Sequence, residues 1–429
     1  MKNMRETSGS SLFTGKEIIM DVPPASHPAW KNIVLGKDQH QFEFLATKFM
    51  LGYLTLQVKR DSSSQIVQKC AQELHDIFVR NVDLISVQRD LIKIYGKDAM
   101  SGYLYDVIEV KSKITRGQKL LLAGDESLLK SLPAGNWIGG SIPYFMTEEG
   151  GLTTRHKIYV TELPETVTEI SIKVYDVTNL ASIYTDAPQN GFSVIIMPGS
   201  SKTHLEFALH APQYNDFGHS PLIGWIAGVH LDDLTNITPK VFNGQTQTMI
   251  EDAAVVMHVS LPAFQVAEIN YINIFEQGTG DSITFPQDGF SVCDAYINGV
   301  KTNFADYITH QHLDMKLPLV ADYFGAMVNV SFQGVDPAKH EVRFHAPVFA
   351  GVSYKHAKPL KDYVQQFTAK IPVNLNKHPA FSCNCVLNYV YSELEGKRTG
   401  KITGPATFGE IVYQLLNQTM AYLTITGIK

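Results

Sequence analysis

An internal echo constrains this chain more than any other feature of its sequence. Leu163-Pro164 returns as Leu261-Pro262, and Glu169-Ile170 returns as Glu268-Ile269. Pro188-Gln189-Asn190-Gly191-Phe192-Ser193-Val194 returns as Pro286-Gln287-Asp288-Gly289-Phe290-Ser291-Val292. Val174-Tyr175-Asp176 has a conservative counterpart in Ile274-Phe275-Glu276, and Pro221-Leu222 with Gly228 has one in Pro318-Leu319 with Gly325. Landmarks that recur in order at a nearly constant spacing imply two copies of one supersecondary unit. Each copy reads as a strand, a turn built on Asn-Gly or Asp-Gly, a second strand, a helix-compatible segment and a buried strand. The expected fold class is therefore α+β, with tandem-duplicated, β-rich α/β units packed about a pseudo-twofold axis. Each unit then covers the apolar face that the other cannot bury, and the seam between them is the natural place for a ligand cleft.

The remainder of the chain is organised around these copies. Residues 1–38 lack periodicity and contain Pro23, Pro24 and Pro28, which suits a loose arm. Residues 39–100 turn helical, with stripes such as Ile66, Val67, Cys70, Leu74, Ile77 and Phe78. This predicts a small helical subdomain, read first as packing and second as a surface for a signalling protein. Two repeat units, 101–255 and 256–429, follow. A net charge of −6 lacks the basic footprint of a nucleic-acid binder. Four cysteines in 429 residues make no disulfide scaffold and favour a reducing compartment. The first residues are too polar for a secretory signal, and no apolar run approaches a membrane span. A soluble, cytoplasmic protein is expected.

Several segments can carry chemistry. Gly139 and Gly140 allow backbone amides to face a ligand, and Ser141 adds a hydroxyl; the helix and lysine of a phosphate loop are missing. Asp322 lies in an apolar run where the other copy carries Trp225, so it must be paired, exposed or functional. His310 and His312 have a metal-ligand spacing along a strand, without a nameable third ligand. Cys383 and Cys385 form a CxC pair with no second pair for zinc, and no local cation activates Cys383. Neither a GxSxG nor an HExxH motif is present.

The C-terminal region is the most distinctive. Phe381-Ser382-Cys383-Asn384-Cys385 reads as the end of a buried strand. Gly404-Pro405-Ala406-Thr407-Phe408-Gly409-Glu410-Ile411 and Leu416-Asn417-Gln418-Thr419 follow, before a last strand around Tyr422-Leu423-Thr424-Ile425. This order resembles the C-terminal half of FIST sensory domains, and the stretch from Leu132-Pro133 to Gly139-Gly140-Ser141 is similar to their N-terminal half. The resemblance occupies two patches, 117–145 and 381–427. It departs where the family continues Cys-Asn with Gly-Arg-Gly and this chain has Cys385-Val386-Leu387.

The resemblance implies a bacterial, cytoplasmic, non-catalytic signal-transduction module that senses a small, amino-acid-like molecule, with haem bound in some members. The residues themselves suggest a polar pocket around Asp322, Asn384, Glu410 and Asn417, where Glu410 would hold a ligand's amine. Gly139, Gly140, Ser141, Trp225 and Cys383 complete the expected lining. Two other readings stand beside it: a hydrolase or lyase using Cys383, Glu410 or Asp322 in the same cleft, and a scaffold assembling through the helical region.

Overall fold

Three six-stranded sheets share one strand order, in a computed structural model that describes residues 103–323, 325–372, 379–400 and 402–427. The expected arm and helical subdomain, 1–38 and 39–100, lie outside the described residues. The first sheet runs Tyr103–Tyr105, Ile158–Glu162, Leu120–Gly124, Trp137–Ser141, Val241–Asn243, Thr248–Ile250. The second runs Glu169–Tyr175, Ala254–Ser260, Gly191–Pro198, Leu222–Ala227, Glu410–Val412, Gln414–Leu416. The third runs Gln265–Ile272, Met420–Gly427, Phe381–Cys385, Gly404–Thr407, Tyr144–Thr147, Gly150–Thr153. In each, the central pair is parallel and every other pairing is antiparallel.

A parallel pair needs a crossover, and a helix follows the first strand of each central pair: Glu126–Lys130, Lys202–His210 and Val386–Tyr391. The outer hairpin of each sheet comes from a different unit. Residues 144–153 of the first unit complete the third sheet, 241–250 of the second complete the first, and 410–416 of the third complete the second. Three units thus exchange hairpins in a closed cycle, which no single unit can satisfy alone.

This corrects the expected pseudo-twofold duplication. Leu163-Pro164 and Leu261-Pro262 do lead into matching first strands, Glu169–Tyr175 and Gln265–Ile272. Beyond them the paired stretches fold differently. Gly191–Pro198 is a central strand parallel to Leu222–Ala227. Its counterpart Gly289–Val292 instead pairs antiparallel with Glu341–Val348, and Leu319–Tyr323 pairs antiparallel with Ala326–Val330 and Tyr354–His356. Between Ile272 and Phe381 the chain leaves the third sheet and builds a core of its own around Phe285, Phe304, Phe332, Phe344 and Tyr354.

The glycines of the two echoed turns show the difference. A Cβ on Gly191 (φ 154) would meet the Val259 carbonyl oxygen at 1.9 Å, whereas one on Gly289 (φ 157) has nothing closer than 3.6 Å. A boundary at 255/256 would also cut the strand Ala254–Ser260. Met100–Lys429 forms one compact unit.

The inner faces of the three sheets meet in a common core that includes Ile138, Val194, Ile196, Trp225, Met257, Phe381, Cys383 and Leu423. Outer faces take helices: Val110, Ile114 and Leu129 cover the first sheet, and Phe207 and Ala208 cover the second. Among the described residues, no helix is long and apolar enough to cross a membrane.

Candidate functional site

Glu410 directly opposes Trp225 across an antiparallel strand pair, so the two side chains project to the same, inner face of the second sheet. Glu410 is completely buried. Its Oε2 accepts hydrogen bonds from the Thr419 amide at 3.2 Å and the Thr419 hydroxyl at 2.7 Å. Its Oε1 accepts no hydrogen bond of ordinary geometry, although the Cys385 thiol stands close enough to lower the pKa. Burial nevertheless pushes that pKa up to about 8, against the lowering effect of Thr419 and Cys385. A carboxyl deprived of water and without a cation keeps its proton at neutral pH.

The neighbouring groups arrive on adjacent strands. Trp225 stacks on Phe381 with ring centroids 5.4 Å apart, and its indole Nε1 has no acceptor. Asn417 Oδ1 accepts from the Ser331 amide at 3.2 Å and the Ser331 hydroxyl at 2.8 Å. The amide donor fixes the orientation of the Asn417 side chain and leaves Nδ2 without an acceptor. Asn384 Oδ1 accepts from the Cys385 amide (2.8 Å) and Asn388 Nδ2 (3.0 Å), and Asn388 Nδ2 also reaches the Thr419 carbonyl (3.3 Å). Thr419 therefore links Glu410 to Asn388 and Asn384, while Asn417 turns to Ser331 and Trp225 Nε1 faces Gly140. The hairpin around Tyr413 (φ 59) and the bend at Gln418 (φ 49) bring Thr419 back onto Glu410.

The sulfurs do not form a nucleophilic centre. Cys383 donates weakly to the Gly224 carbonyl at 3.5 Å. Burial, reinforced by Glu410, raises both the Cys383 and Cys385 thiols well above their ordinary range. An activated thiol needs a cation or a helix N-terminus to lower it, and the shifts here run the other way. Haem would need an axial ligand here, and the Cys383 and Cys385 sulfurs are held as neutral thiols.

Other expected site residues are placed elsewhere. Gly139 and Gly140 lie inside Trp137–Ser141, whose backbone is paired on both sides. A Cβ on Gly140 would come within 2.7 Å of Ile196 and 3.0 Å of Trp225 Nε1, so this glycine permits sheet-to-sheet contact. Ser141 Oγ accepts from the Lys240 amide at 2.9 Å. Asp322 is exposed near the end of the strand Leu319–Tyr323, where its Oδ1 accepts from the Gly325 amide of the following turn at 2.6 Å, and it does not join the buried Glu410 or Cys383. His310 and His312 are exposed at the end of the helix Phe304–Gln311 rather than on a strand. No group of three metal-ligating side chains is assembled among the described residues.

A second buried polar group escaped the sequence reading. On the outer face of the same sheet, Ser193 Oγ lies 2.7 Å from His258 Nδ1, and His258 Nε2 lies 2.8 Å from the Tyr175 hydroxyl. That hydroxyl donates to Asp186 at 2.8 Å, and Lys173 closes the chain on Asp186 at 3.0 Å. Because Tyr175 gives its proton to Asp186, His258 carries its own on Nε2 and accepts from Ser193 at Nδ1. Burial, helped by Lys173, lowers the His258 pKa to about 4. Ser193 and His258 are 65 residues apart, and only the strand register joins them.

Residues 105–426 match a family of unknown function, DUF6976, and the chain belongs to that family. No curated protein and no solved structure matches it.

Proposed function

We propose that this DUF6976 member is a non-catalytic, small-molecule-binding sensory module of FIST-like kind, working in the cytoplasm, with the Glu410 centre as its ligand site. The observation that carries this reading is the unfinished hydrogen bonding there. Glu410 Oε1, Asn388 Oδ1, Trp225 Nε1 and Asn417 Nδ2 are buried polar atoms that make no hydrogen bond, on residues close to one another in register, in chain or through Thr419. Each buried polar group left unpaired costs about 1–3 kcal/mol, and a bound polar molecule removes that cost. The raised thiols favour holding a guest over reacting with it. The site is a buried corner of the three-unit core rather than a cleft on a twofold seam.

The test is thermal unfolding of the full chain against organic acids, amides, amino acids, amines, nucleotides and haem, with native mass spectrometry for co-purifying small molecules. At least one class raises the midpoint by several degrees, as binding to the folded state alone requires, and the increase is reduced in Trp225→Phe. A blank panel on protein free of co-purifying mass contradicts the reading. Turnover abolished by Cys383→Ala would support the hydrolase or lyase instead.

A further inference from the structure

The excursion between Ile272 and Phe381 is held to the three-unit core at two places of opposite chemistry. One is a seam of amides and a hydroxyl. Asn273 and Asn329 exchange side-chain hydrogen bonds at 2.9 and 3.1 Å, and Asn329 Nδ2 also reaches the Asn417 and Gln418 carbonyls at 3.2 Å. The Ser331 hydroxyl donates to Asn417 Oδ1 at 2.8 Å. None of these groups titrates. The other place lies where the strands Gly289–Val292 and Glu341–Val348 pack against the helix Lys202–His210, and there two histidines come together. His204 is buried against Phe290, with ring centroids 6.1 Å apart, and His345 stands close enough to act on its charge.

His204 has no room for a second proton where it stands. Its Nδ1 accepts from the Ser200 amide at 3.1 Å, so the hydrogen of the neutral ring is on Nε2, which is buried without an acceptor. A further proton must go to Nδ1, onto a lone pair that already faces an N–H. No free carboxylate stands by to hold the resulting cation. The strands Gly191–Pro198 and Gln414–Leu416 and the turn Ala211–Gln213, all packed on the helix, carry no titratable side chain, and neither does Gly289–Val292. On the helix itself Lys202 is exposed and Glu206 pairs with His210, while Asp252 receives the Lys202 amide at 2.7 Å. Glu341–Val348 brings Glu341, Arg343 and His345, of which His345 bears on His204, and with a repulsive sign. Around His345 the strand Ala326–Val330 brings no titratable group, and its other neighbours are engaged elsewhere or exposed. Asp306 faces His340, Tyr307 donates to Asp281, Asp336 faces Lys339, and His310 is exposed. Burial keeps His345 neutral.

We propose that His204 and His345 form an acid-operated catch between the excursion and the outer face of the second sheet, which opens when both rings take up protons while the amide seam holds as the hinge. His258, the third buried imidazole, is bound within one sheet between Ser193 and Tyr175, so charging it separates no two parts of the fold. The catch is independent of the reading of Glu410 as a ligand site.

The test follows the thiol introduced by Ala346→Cys, a buried position in the core between the excursion and the second sheet. The full chain is labelled with dithiodipyridine, a disulfide reagent that works in acid, from pH 7 to pH 4. Exposed Cys293 calibrates the reagent, and buried Cys383 and Cys385 report global unfolding. Two protons per opening make the labelling rise up to about a hundredfold per pH unit below about pH 6.5, the ordinary imidazole value, while Cys383 and Cys385 stay protected. His345→Gln in the same background leaves one proton and cuts the rise to about tenfold per unit. Labelling that stays flat to pH 4, that rises only together with Cys383 and Cys385, or that keeps its slope in His345→Gln overturns the proposal. In the wild type, where no variant has to fold, the imidazole resonances of His204 and His345 shift together and more steeply than a single proton allows. Independent one-proton titrations of the two rings, or no titration of either above pH 4, overturn it as well.

Discussion

The second sheet carries a buried polar group on each face, and the two are built to different standards. On the outer face every member from Ser193 through His258 and Tyr175 to Asp186 and Lys173 has a partner, and the chain ends on an ion pair in contact with solvent. On the inner face Glu410, Trp225 and Asn417 each keep an unpartnered atom. A complete network fixes a structure, because removing any member exposes another. An incomplete one is unstable as it stands and is relieved by whatever completes it. The same strands therefore hold a structural tie on one side and a vacancy for hydrogen bonds on the other.

The two faces also titrate in opposite directions, and the largest expected effect follows from this. Burial holds His204, His258 and His345 at about 4. His258 and His204 are on the outer side, and His345 lies on the strand Glu341–Val348 against His204. Their folded pKa values lie below the unfolded ones, so the unfolded chain binds more protons between pH 6.5 and 4, and stability falls as pH falls. With three such groups the slope reaches on the order of 4 kcal/mol per pH unit. Urea unfolding across pH 4–7 measures it, and a flat profile breaks the assignment of the outer face as neutral.

Glu410 acts on the alkaline side. Its folded pKa of about 8 exceeds the ordinary carboxylate value, so its contribution is complete below the unfolded pKa and is lost as pH rises toward 8. The loss amounts to about 3–5 kcal/mol. Glu410→Gln removes this limb and leaves the acid limb unchanged. Next in size is His258→Ala, which strands Ser193 and Tyr175 and opens a cavity, at a cost of about 2–4 kcal/mol in chemical denaturation. If it costs less than Glu410→Gln at pH 7, the contrast between a finished and an unfinished network is wrong. The smallest effect belongs to Asp322→Ala, which loses one turn hydrogen bond for about 0.5–1.5 kcal/mol and leaves ligand affinity unchanged.

How much of this was legible depends on how local the information is. Leu163-Pro164 and Leu261-Pro262 were readable because each introduces a first strand from within its own segment. The later echo misled because Gly191–Pro198 and Gly289–Val292 share side chains but not partners, and pairing is decided by the rest of the sheet. Glu410 and Thr419 lie close in the chain, and one short hairpin folds back to join them, so their proximity is a local matter. Ser193 and His258 were invisible, since their meeting requires the strand register. For Asp322 the apolar run left three readings open, paired, exposed or functional, and the exposed strand end is the one adopted. The cyclic exchange of hairpins has no local signature at all: Glu410–Val412 joins the sheet of a unit that ended 150 residues earlier.

The most direct test of the central claim is the infrared difference spectrum between the wild type and Glu410→Gln at pH 7, recorded with and without a bound probe. The account predicts the carbonyl band of a protonated carboxyl that shifts when a ligand that stabilises the fold binds. A carboxylate band in its place, or a protonated band indifferent to every ligand that stabilises the fold, would contradict it.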